Sequence, residues 1–215
     1  MKVGLLYSGG MDSSFSALIL SSLGYEVKLI TINFGLLDSW KAARRSARAL
    51  GFSHEVKRLN NDILKKCASI MIEDGFPNNG LNYIHKQAIL SLCEDFSCIA
   101  DGIKREDRAP KLPHDEIQSM EMKCGFRYIQ PLLGWNSREI RHFCRNLFIV
   151  EEGESEKILK SDYEAEIREF IKQEYGIGFV KKIFPDHKQS HVIGWRNSSG
   201  KKYFLRQKTQ TFKGI

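Results

Sequence analysis

Hydrophobic and polar positions along the first two-thirds of the chain follow two different periods. Short apolar runs, which read as buried strands, occupy 2–7, 26–33, 53–59, 97–101 and 127–130. Segments with apolar residues three or four positions apart, which read as helices, occupy 12–23, 39–50, 62–74, 83–95 and 137–146. Strands that alternate with helices at this spacing form βαβ units, which give a parallel sheet with helices on both faces.

These elements predict a doubly wound α/β domain with a five-stranded parallel sheet over residues 1–147. The remaining residues, 148–215, predict a small C-terminal α+β extension. Its acidic first part reads as a linker followed by a charged amphipathic helix at 162–175, whose acidic face we expect to be solvated. Its basic end, in which HVIGWR and KKYFLRQ flank a turn at 197–200, is typical of a β-hairpin.

The net charge of +7 is concentrated near the C-terminus, where 176–215 holds nine basic residues and one acidic residue. A basic segment of this kind suits a polyanionic partner such as RNA, although a solvated basic surface would give the same pattern. No apolar run reaches the roughly 18 residues of a membrane span. The apolar start of the chain is also too short for a secretory signal. We therefore expect a soluble, cytoplasmic protein without membrane partners.

Cysteines and histidines give weaker signals. The cysteines are scattered without a CxxC pair, at 67, 93, 98, 124 and 144. An odd count without metal-ligand spacing argues against a disulfide framework and a zinc ribbon, so we expect reduced thiols. His187 and His191 have an i, i+4 spacing, but no cysteine or glutamate stands at metal-site spacing from them. We interpret them, with Gln189 and Arg196, as a polar cluster that either contacts substrate or stabilises the hairpin.

The segment SGGMDSS, from Ser8 to Ser14, joins the first strand to the first helix. Its two glycines permit positive φ angles and a close approach of a ligand to the backbone. Successive N–H groups in such a turn point into one concavity, and the helix dipole adds positive potential there. The hydroxyls of Ser8 and Ser13 add donors, so the loop predicts a site for phosphate or pyrophosphate. No lysine follows the glycines, which excludes a Walker loop.

SGGMDSS resembles the SGGxDS signature of the PP-loop ATP pyrophosphatase superfamily, whose fold is HUP-like. Residues 1 to about 147 are similar to the sheet of that superfamily, and the chain looks most like its small archaeal-type members that modify tRNA. The resemblance implies that ATP binds on this loop. The nucleotide-binding residues that it implies are Tyr7, Ser8, Gly9, Gly10, Met11, Asp12, Ser13, Ser14, Ile32, Asn33, Phe34, Gly102 and Asp107.

Two further segments carry the resemblance. VKLITINFG looks like the second strand, whose end holds the adenine, here beside Ile32–Phe34. QPLL resembles the family's R-P-L-L, but Gln130 replaces the arginine, so the anion contact of that arginine is not carried over.

The segment ADGIKRED, at 100–107, stands where the family has its second motif. There the resemblance implies that Lys104 and Arg105 hold the leaving pyrophosphate. It implies Asp12 as the principal ligand of Mg²⁺ and Asp107 as a second candidate, while Asp12 also suits the cap of the first helix. Asp12, Lys104 and Arg105 are therefore the predicted catalytic residues.

The resemblance implies an adenylating enzyme, in which an acceptor oxygen attacks the α-phosphate of ATP, pyrophosphate leaves, and a nucleophile then displaces AMP. Mg²⁺ would neutralise the triphosphate. Three functions remain open at this point. The first is tRNA base modification such as thiolation, with tRNA on the basic hairpin and sulfur or ammonia from a donor protein. The second is a small-molecule ligase or amidase of the synthetase type, and the third is a non-catalytic ATP-binding protein.

Overall fold

The computed structural model describes residues 1–154, 161–185 and 188–197. Five parallel strands form the central sheet: β1 (Lys2–Leu6), β2 (Glu26–Asn33), β3 (Ser53–Arg58), β4 (Cys98–Ala100) and β5 (Arg127–Ile129). Six helices follow these strands: α1 (Met11–Ser22), α2 (Trp40–Leu50), α3 (Asn61–Asp74), α4 (Asn78–Leu90), α5 (His114–Cys124) and α6 (Ser137–Leu147). The chain continues through β6 (Phe148–Glu154), α7 (Tyr163–Tyr175), α8 (Ile177–Ile183) and β7 (Lys188–Trp195).

The strand order in the central sheet is β3-β2-β1-β4-β5, and every pairing is parallel. The chain moves outward from β1 to β3 on one side and then crosses to β4 on the other side of β1. In such sheets ligands bind where the chain leaves two adjacent strands in opposite directions. Here this point lies beyond the carboxyl ends of β1 and β4. The predicted fold class, a five-stranded doubly wound sheet, is confirmed.

Alternate residues of the strands face two separate hydrophobic cores, because side chains alternate across a sheet. Leu6 and Ile30 belong to the core that α3, α4, α7 and α8 cover. Leu5 and Leu29 belong to the core that α1, α2 and α6 cover. The three inner strands β1, β2 and β4 are thus buried on both faces, as is typical of parallel sheets, and a ligand can reach them at their ends.

The C-terminal extension packs on both faces of this domain. β6 and β7 pair antiparallel, with Val150 opposite Val192, and β7 contacts α1 and α2. On the other face, α7 and α8 pack against α3. The predicted antiparallel pair in the extension is confirmed, but the partner of HVIGWR is β6, where a linker was predicted. The KKYFLRQ segment, 201–207, lies outside the described residues. The division at residue 147 stays a prediction.

Three helices differ from the sequence prediction, and one of them, α8, lies where no element was predicted. The helix predicted over 83–95 begins earlier, at Asn78, and ends at Leu90. Helix α5 lies where no element was predicted, because Met120 is its one fully buried residue and its sequence shows little apolar periodicity. In the described part of the chain, no helix has the length and apolar character that crossing a membrane requires.

Candidate functional site

An open cavity of about 620 Å³ lies over the carboxyl ends of β1 and β4. Its walls include the loop after β1, the loop after β4, and parts of α6, α7 and β7. Apolar wall residues include Leu6, Ile30, Ile32 and Leu81, and uncharged polar and charged groups line much of the remainder. A concave site that combines apolar walls with a few converging polar groups is typical of small-ligand binding.

The loop after β1 forms a tight turn that leads directly into α1. Gly9 has a φ of +80°, a left-handed conformation that L residues avoid, and α1 begins two residues later at Met11. The Ser8 hydroxyl lies 3.3 Å from the Ser13 hydroxyl and accepts a hydrogen bond from the Gly10 N–H at 3.4 Å. Two hydroxyls and the positive end of the helix dipole therefore stand together at the cavity wall, an arrangement that attracts anions.

Gly102, in the loop after β4, lies against the first turn of α1. A Cβ atom at this position would lie 2.8 Å from the Ser13 nitrogen and 3.1 Å from the Asp12 carbonyl carbon. Both neighbours are backbone atoms and cannot rotate away. Glycine at 102 thus permits the two loops to meet, and their meeting sets the relative positions of the groups that both loops bring to the cavity.

An ion cluster joins the two loops. The Lys104 ammonium lies 2.7 Å from Asp12 Oδ2 and 2.8 Å from Asp107 Oδ1, and the Lys104 N–H donates to Asp107 at 3.0 Å. Burial raises the pKa of the Asp12 carboxyl, although the Lys104 ammonium opposes the shift. Burial alone would lower the pKa of Lys104, but the two carboxylates outweigh it and raise the pKa, so the ammonium stays charged. Positive charge is therefore fixed beside the start of α1.

A buried polar network stands behind the loop after β4. The ring nitrogens of His85 lie 2.6 Å from the Tyr163 hydroxyl, 2.9 Å from the Tyr128 hydroxyl and 3.0 Å from Asp101 Oδ2. Tyr128 also donates to Asp101, whose other oxygen accepts the Ile103 N–H at 3.0 Å. Burial, reinforced by the Asp101 charge, raises the pKa of both phenols, which remain protonated donors. The network thus fixes Asp101 and, through it, the start of the second loop.

Strand β7 runs across the loop after β1. Ser190 Oγ accepts the first backbone N–H of α1 at 3.2 Å, and the Val192 N–H donates to the Gly9 carbonyl at 2.8 Å. The His191 ring packs over Gly9, where a Cβ atom would approach it to 3.1 Å. Burial lowers the pKa of His191 against the opposing effect of Glu151, so its imidazole is neutral at pH 7. The extension is therefore part of the site.

The residues of the polar cluster predicted near the C-terminus lie in different places. Gln189 lines the cavity and donates to Asp162 at 3.4 Å, while His191 contacts the loop after β1. The Arg196 N–H donates to the Leu147 carbonyl at the edge of the small sheet. His187 lies outside the described residues.

Glu166, in α7, corrects the prediction of a solvated acidic helix face. It is 1 % exposed and accepts the backbone N–H groups of Phe34 at 2.8 Å, Leu36 at 2.8 Å and Leu37 at 3.1 Å. A carboxylate that accepts three N–H groups is stable in a buried position, because each hydrogen bond offsets part of its desolvation. Glu166 thereby fixes the loop that follows β2, the strand whose Ile32 lines the cavity.

The structure brings most of the predicted site residues together. Those that line the cavity are Tyr7, Ser8, Gly10, Met11, Asp12, Ser13, Ile32, Gly102, Lys104 and Asp107. Gly9 and Ser14 belong to the same loop and helix start but do not line the cavity. The Ser14 hydroxyl shares a hydrogen bond with the buried Tyr7 hydroxyl at 3.1 Å. Asn33 donates to the Leu37 carbonyl, Phe34 belongs to the core, and the side chain of Arg105 does not line the cavity.

Several wall residues have no counterpart in the sequence prediction: His85, Asp101, Arg141, Arg145, Tyr163 and Ser190. Asp101 carried a usable signal, because a carboxylate directly after a buried strand stands at the edge where ligands bind. The others come from helices or strands distant in sequence, and no local pattern marks them.

All five cysteines are free thiols, as expected. Cys144 is the one nearest the loop after β1, with its Sγ 3.7 Å from the Met11 carbonyl. Burial, with a smaller effect of the Asp12 charge, raises the pKa of Cys144 to about 12. This thiol is therefore protonated at pH 7 and is not a reactive thiolate.

Two comparisons concern close relatives. A family model described as "Family of unknown function (DUF7411)" matches residues 1–194. The uncharacterized protein MJ0690 of Methanocaldococcus jannaschii is 47% identical over 194 residues, which is 90% of this chain and 96% of that protein. The matched region includes every residue of the cavity wall described above.

Two further comparisons carry descriptions that mention tRNA. A crystal structure from Methanocaldococcus jannaschii, described as a predicted subunit of tRNA methyltransferase, matches with a TM-score of 0.85 and 45% identity, over 92% of this chain and 98% of that one. The tRNA-specific 2-thiouridylase MnmA of Syntrophomonas wolfei subsp. wolfei is 27% identical over 202 residues, which is 80% of this chain but 58% of that enzyme. The match to the solved structure agrees with the fold described above.

Proposed function

The chain belongs to this family of unknown function, and from that premise we propose that it is a PP-loop ATP pyrophosphatase that adenylates a tRNA base during tRNA modification. The observation that carries the proposal is the meeting of two loops: the glycine turn at the start of α1 and the Lys104 cluster after β4. The similarity to a tRNA thiouridylase and to a predicted tRNA methyltransferase subunit supports tRNA as the substrate class.

The phosphates of ATP fit the loop after β1. The first backbone N–H of α1 already donates to an oxygen, Ser190 Oγ, at 3.2 Å, which is the position that a phosphate oxygen would take. Ser8 and Ser13 add hydroxyl donors. The apolar wall at Ile30 and Ile32 suits the face of the adenine.

Magnesium fits the same corner. Asp12 and Asp107 flank the Lys104 ammonium at 2.7 and 2.8 Å, so their oxygens already face a common cation. Within the described residues, no group of three or more His, Cys, Asp and Glu side chains is arranged around a metal position. This agrees with Mg²⁺, which is commonly held by one or two carboxylates together with the phosphates of the substrate. When bound, it would offset the charge of the triphosphate.

In the proposed reaction an acceptor oxygen attacks the α-phosphorus, the bond to the β-phosphate oxygen breaks, and pyrophosphate leaves. The chain contributes position and charge: the loop after β1 orients the phosphates, and Lys104 faces the charge that develops on the leaving group. A nucleophile then displaces AMP. Because Cys144 is protonated, we propose that sulfur or ammonia comes from a donor protein, in the cytoplasm, and not from this thiol.

The test is to incubate the purified protein with α-labelled ATP, Mg²⁺ and total tRNA, and to measure AMP and pyrophosphate. Asp12→Ala is expected to lower AMP formation about 100-fold or more, because a carboxylate facing the phosphates and Mg²⁺ is lost. Asp115→Ala is the matched control, since Asp115 also lies in the first turn of a helix but is exposed and outside the cavity wall.

The products distinguish the three functions. AMP that forms only with tRNA supports the proposal. AMP that forms with a metabolite extract and without RNA would favour a small-molecule ligase. ATP binding without AMP formation under any condition would leave a non-catalytic ATP-binding protein, and ADP as the product would overturn the mechanism.

A further inference from the structure

A second groove, of about 670 Å³, adjoins the cavity along α6. Its walls are polar and mostly basic, with Glu106, Ser137, Arg138, Arg141, His142, Arg145 and Asn146. Ser137, Arg141 and Arg145 line both the groove and the cavity. A ligand in the groove would therefore reach the cavity directly.

The basic side chains of the groove form one row. Arg138, Arg141, His142 and Arg145 follow i, i+3, i+4 and i+7 spacing, which places them on one exposed face of α6, while Ile140 and Cys144 are buried on the other side. Like charges at these spacings repel one another and destabilise a helix. The fold therefore keeps a row of cations at a local cost in stability.

One ion pair is made by the arginines of this row within the described residues. Arg145 pairs with Glu152 at 2.9 Å, with both side chains partly exposed. Across 1–154, 161–185 and 188–197, Arg138 and Arg141 make no ion pair. Glu106, the one acidic residue of the groove wall, accepts the Ser137 N–H at 3.1 Å. The Asp12 charge also acts on Arg141. Within the described residues, Arg138 and Arg141 thus present guanidinium groups that have no ion-pair partner and are available to bind anions.

We propose that this groove, along α6, binds the phosphate backbone of an RNA strand and guides it to the cavity. The inference rests on the proposed function, and it names the surface that holds the substrate. Arg145 lies seven positions after Arg138 in the helix, a rise of about 10 Å, so the row can contact two or three phosphates of one strand. Guanidinium groups suit this task because they bind phosphate oxygens with two parallel hydrogen bonds.

Charge favours RNA over a small anionic substrate. A single mononucleotide in the cavity would contact only Arg141 and Arg145 of the row, because Arg138 lines the groove but not the cavity. A polyanion uses the complete row. The basic residues at 198–215, the other candidate for RNA contact, lie outside the described residues, so the two surfaces are tested separately.

The test measures the affinity of the full chain for fluorescently labelled tRNA by anisotropy, at several salt concentrations. The variant is Arg138→Gln/Arg141→Gln/Arg145→Gln. The matched control is Lys65→Gln/Lys66→Gln/Lys123→Gln, which removes the same charge from exposed positions of α3 and α5 outside both walls. Thermal unfolding confirms that each variant folds, and Arg138→Gln alone serves as the milder variant.

Loss of three phosphate contacts is expected to reduce the slope of log K against log salt by about 2 to 3 and to weaken binding about 100-fold near 0.1 M salt. Arg138→Gln is expected to reduce the slope by about 1. The control is expected to change affinity less than about threefold, since non-contacting charges act only through the screened field. A decrease specific to the groove variants supports the proposal.

Equal losses in the groove variant and the control would overturn the proposal. The proposal would also be overturned if the groove variant bound tRNA as tightly as the wild type while Lys201→Gln/Lys202→Gln lost affinity. That result would leave the proposed function intact. If the groove variants lose RNA affinity but the wild-type protein forms no AMP, the groove is supported and the adenylation proposal fails. If the wild-type protein forms AMP with a small acid but binds no RNA at 50 mM salt, the groove proposal fails.

Discussion

Replacing Gly102 by alanine tests whether the two loops of the site meet as closely as the structure shows. The new Cβ would lie 2.8 Å from the Ser13 nitrogen, 3.0 Å from the Ser13 Cα and 3.1 Å from the Asp12 carbonyl carbon, whereas ordinary contact begins at 3.4 Å. The loops must therefore separate by about 0.6 Å, the difference between 3.4 and 2.8 Å. Overpacking of this kind costs about 1–3 kcal/mol in the free energy of unfolding.

The same separation moves Lys104 relative to Asp12 and the start of α1. Misplacement of reacting groups by an ångström or less lowers rates by up to about 100-fold, so we expect weaker ATP binding and slower AMP formation in a variant that still folds. Urea denaturation gives the free energy of unfolding, and calorimetric titration gives the ATP affinity.

Gly134→Ala is the matched control, because no atom lies within 4 Å of its added Cβ. It is expected to be neutral or to stabilise the fold by less than about 1 kcal/mol, through the unfolded chain. If Gly102→Ala and Gly134→Ala both unfold within 0.5 kcal/mol of the wild type and bind ATP equally, the reasoning from loop contact is refuted.

Three other substitutions test polar groups that the fold buries fully or in part. Glu166→Gln is expected to lower the free energy of unfolding by about 2–4 kcal/mol, because the amide cannot accept all three N–H groups of the 34–37 loop. Urea denaturation measures this loss, with Glu174→Gln at an exposed position as the control. Equal stability of the two variants would contradict the prediction. Burial and nearby cations lower the pKa of His54 from 6.5 to about 4, so the unfolded chain binds a proton that the folded chain does not. Stability should therefore fall as pH drops from 6.5 to about 4, and His54→Gln should flatten that part of the profile; an unchanged profile would refute the assignment. Tyr163→Phe removes a hydroxyl that lies 2.6 Å from a buried histidine and should cost about 1–2 kcal/mol in thermal unfolding, whereas an unchanged melting temperature would show that this bond is not stabilising.

The C-terminal extension completes the site, and does not merely follow the sheet domain. Ser190 and the backbone of β7 bond to the loop after β1, and Glu166 of α7 fixes the loop after β2. Because the extension contacts both loops, substitutions in β7 or α7 are expected to alter nucleotide binding without touching the β1 loop itself.

The sequence by itself determined the α/β fold class, the five strands of the central sheet and the position of the glycine turn between β1 and α1. Apolar runs alternated with helical periods strongly enough to predict the five-stranded sheet, and SGGMDSS marked the strand-to-helix turn at the start of α1. These features are local, since a period or a turn is specified by neighbouring residues. Helix α5 and strand β6 were missed because their own patterns are weak and packing decides their form.

Tertiary structure alone decided which distant groups share the site. His85 and Tyr128 bond to Asp101 from two separate elements, and Tyr163 bonds to His85 from a third. Glu166 is buried because the N–H groups of a loop more than a hundred residues earlier surround it. The acidic composition of its segment indicated solvent, since charge is exposed on average. Whether a carboxylate is buried depends on the donors that the fold brings to it, and a sequence pattern does not contain those long-range contacts.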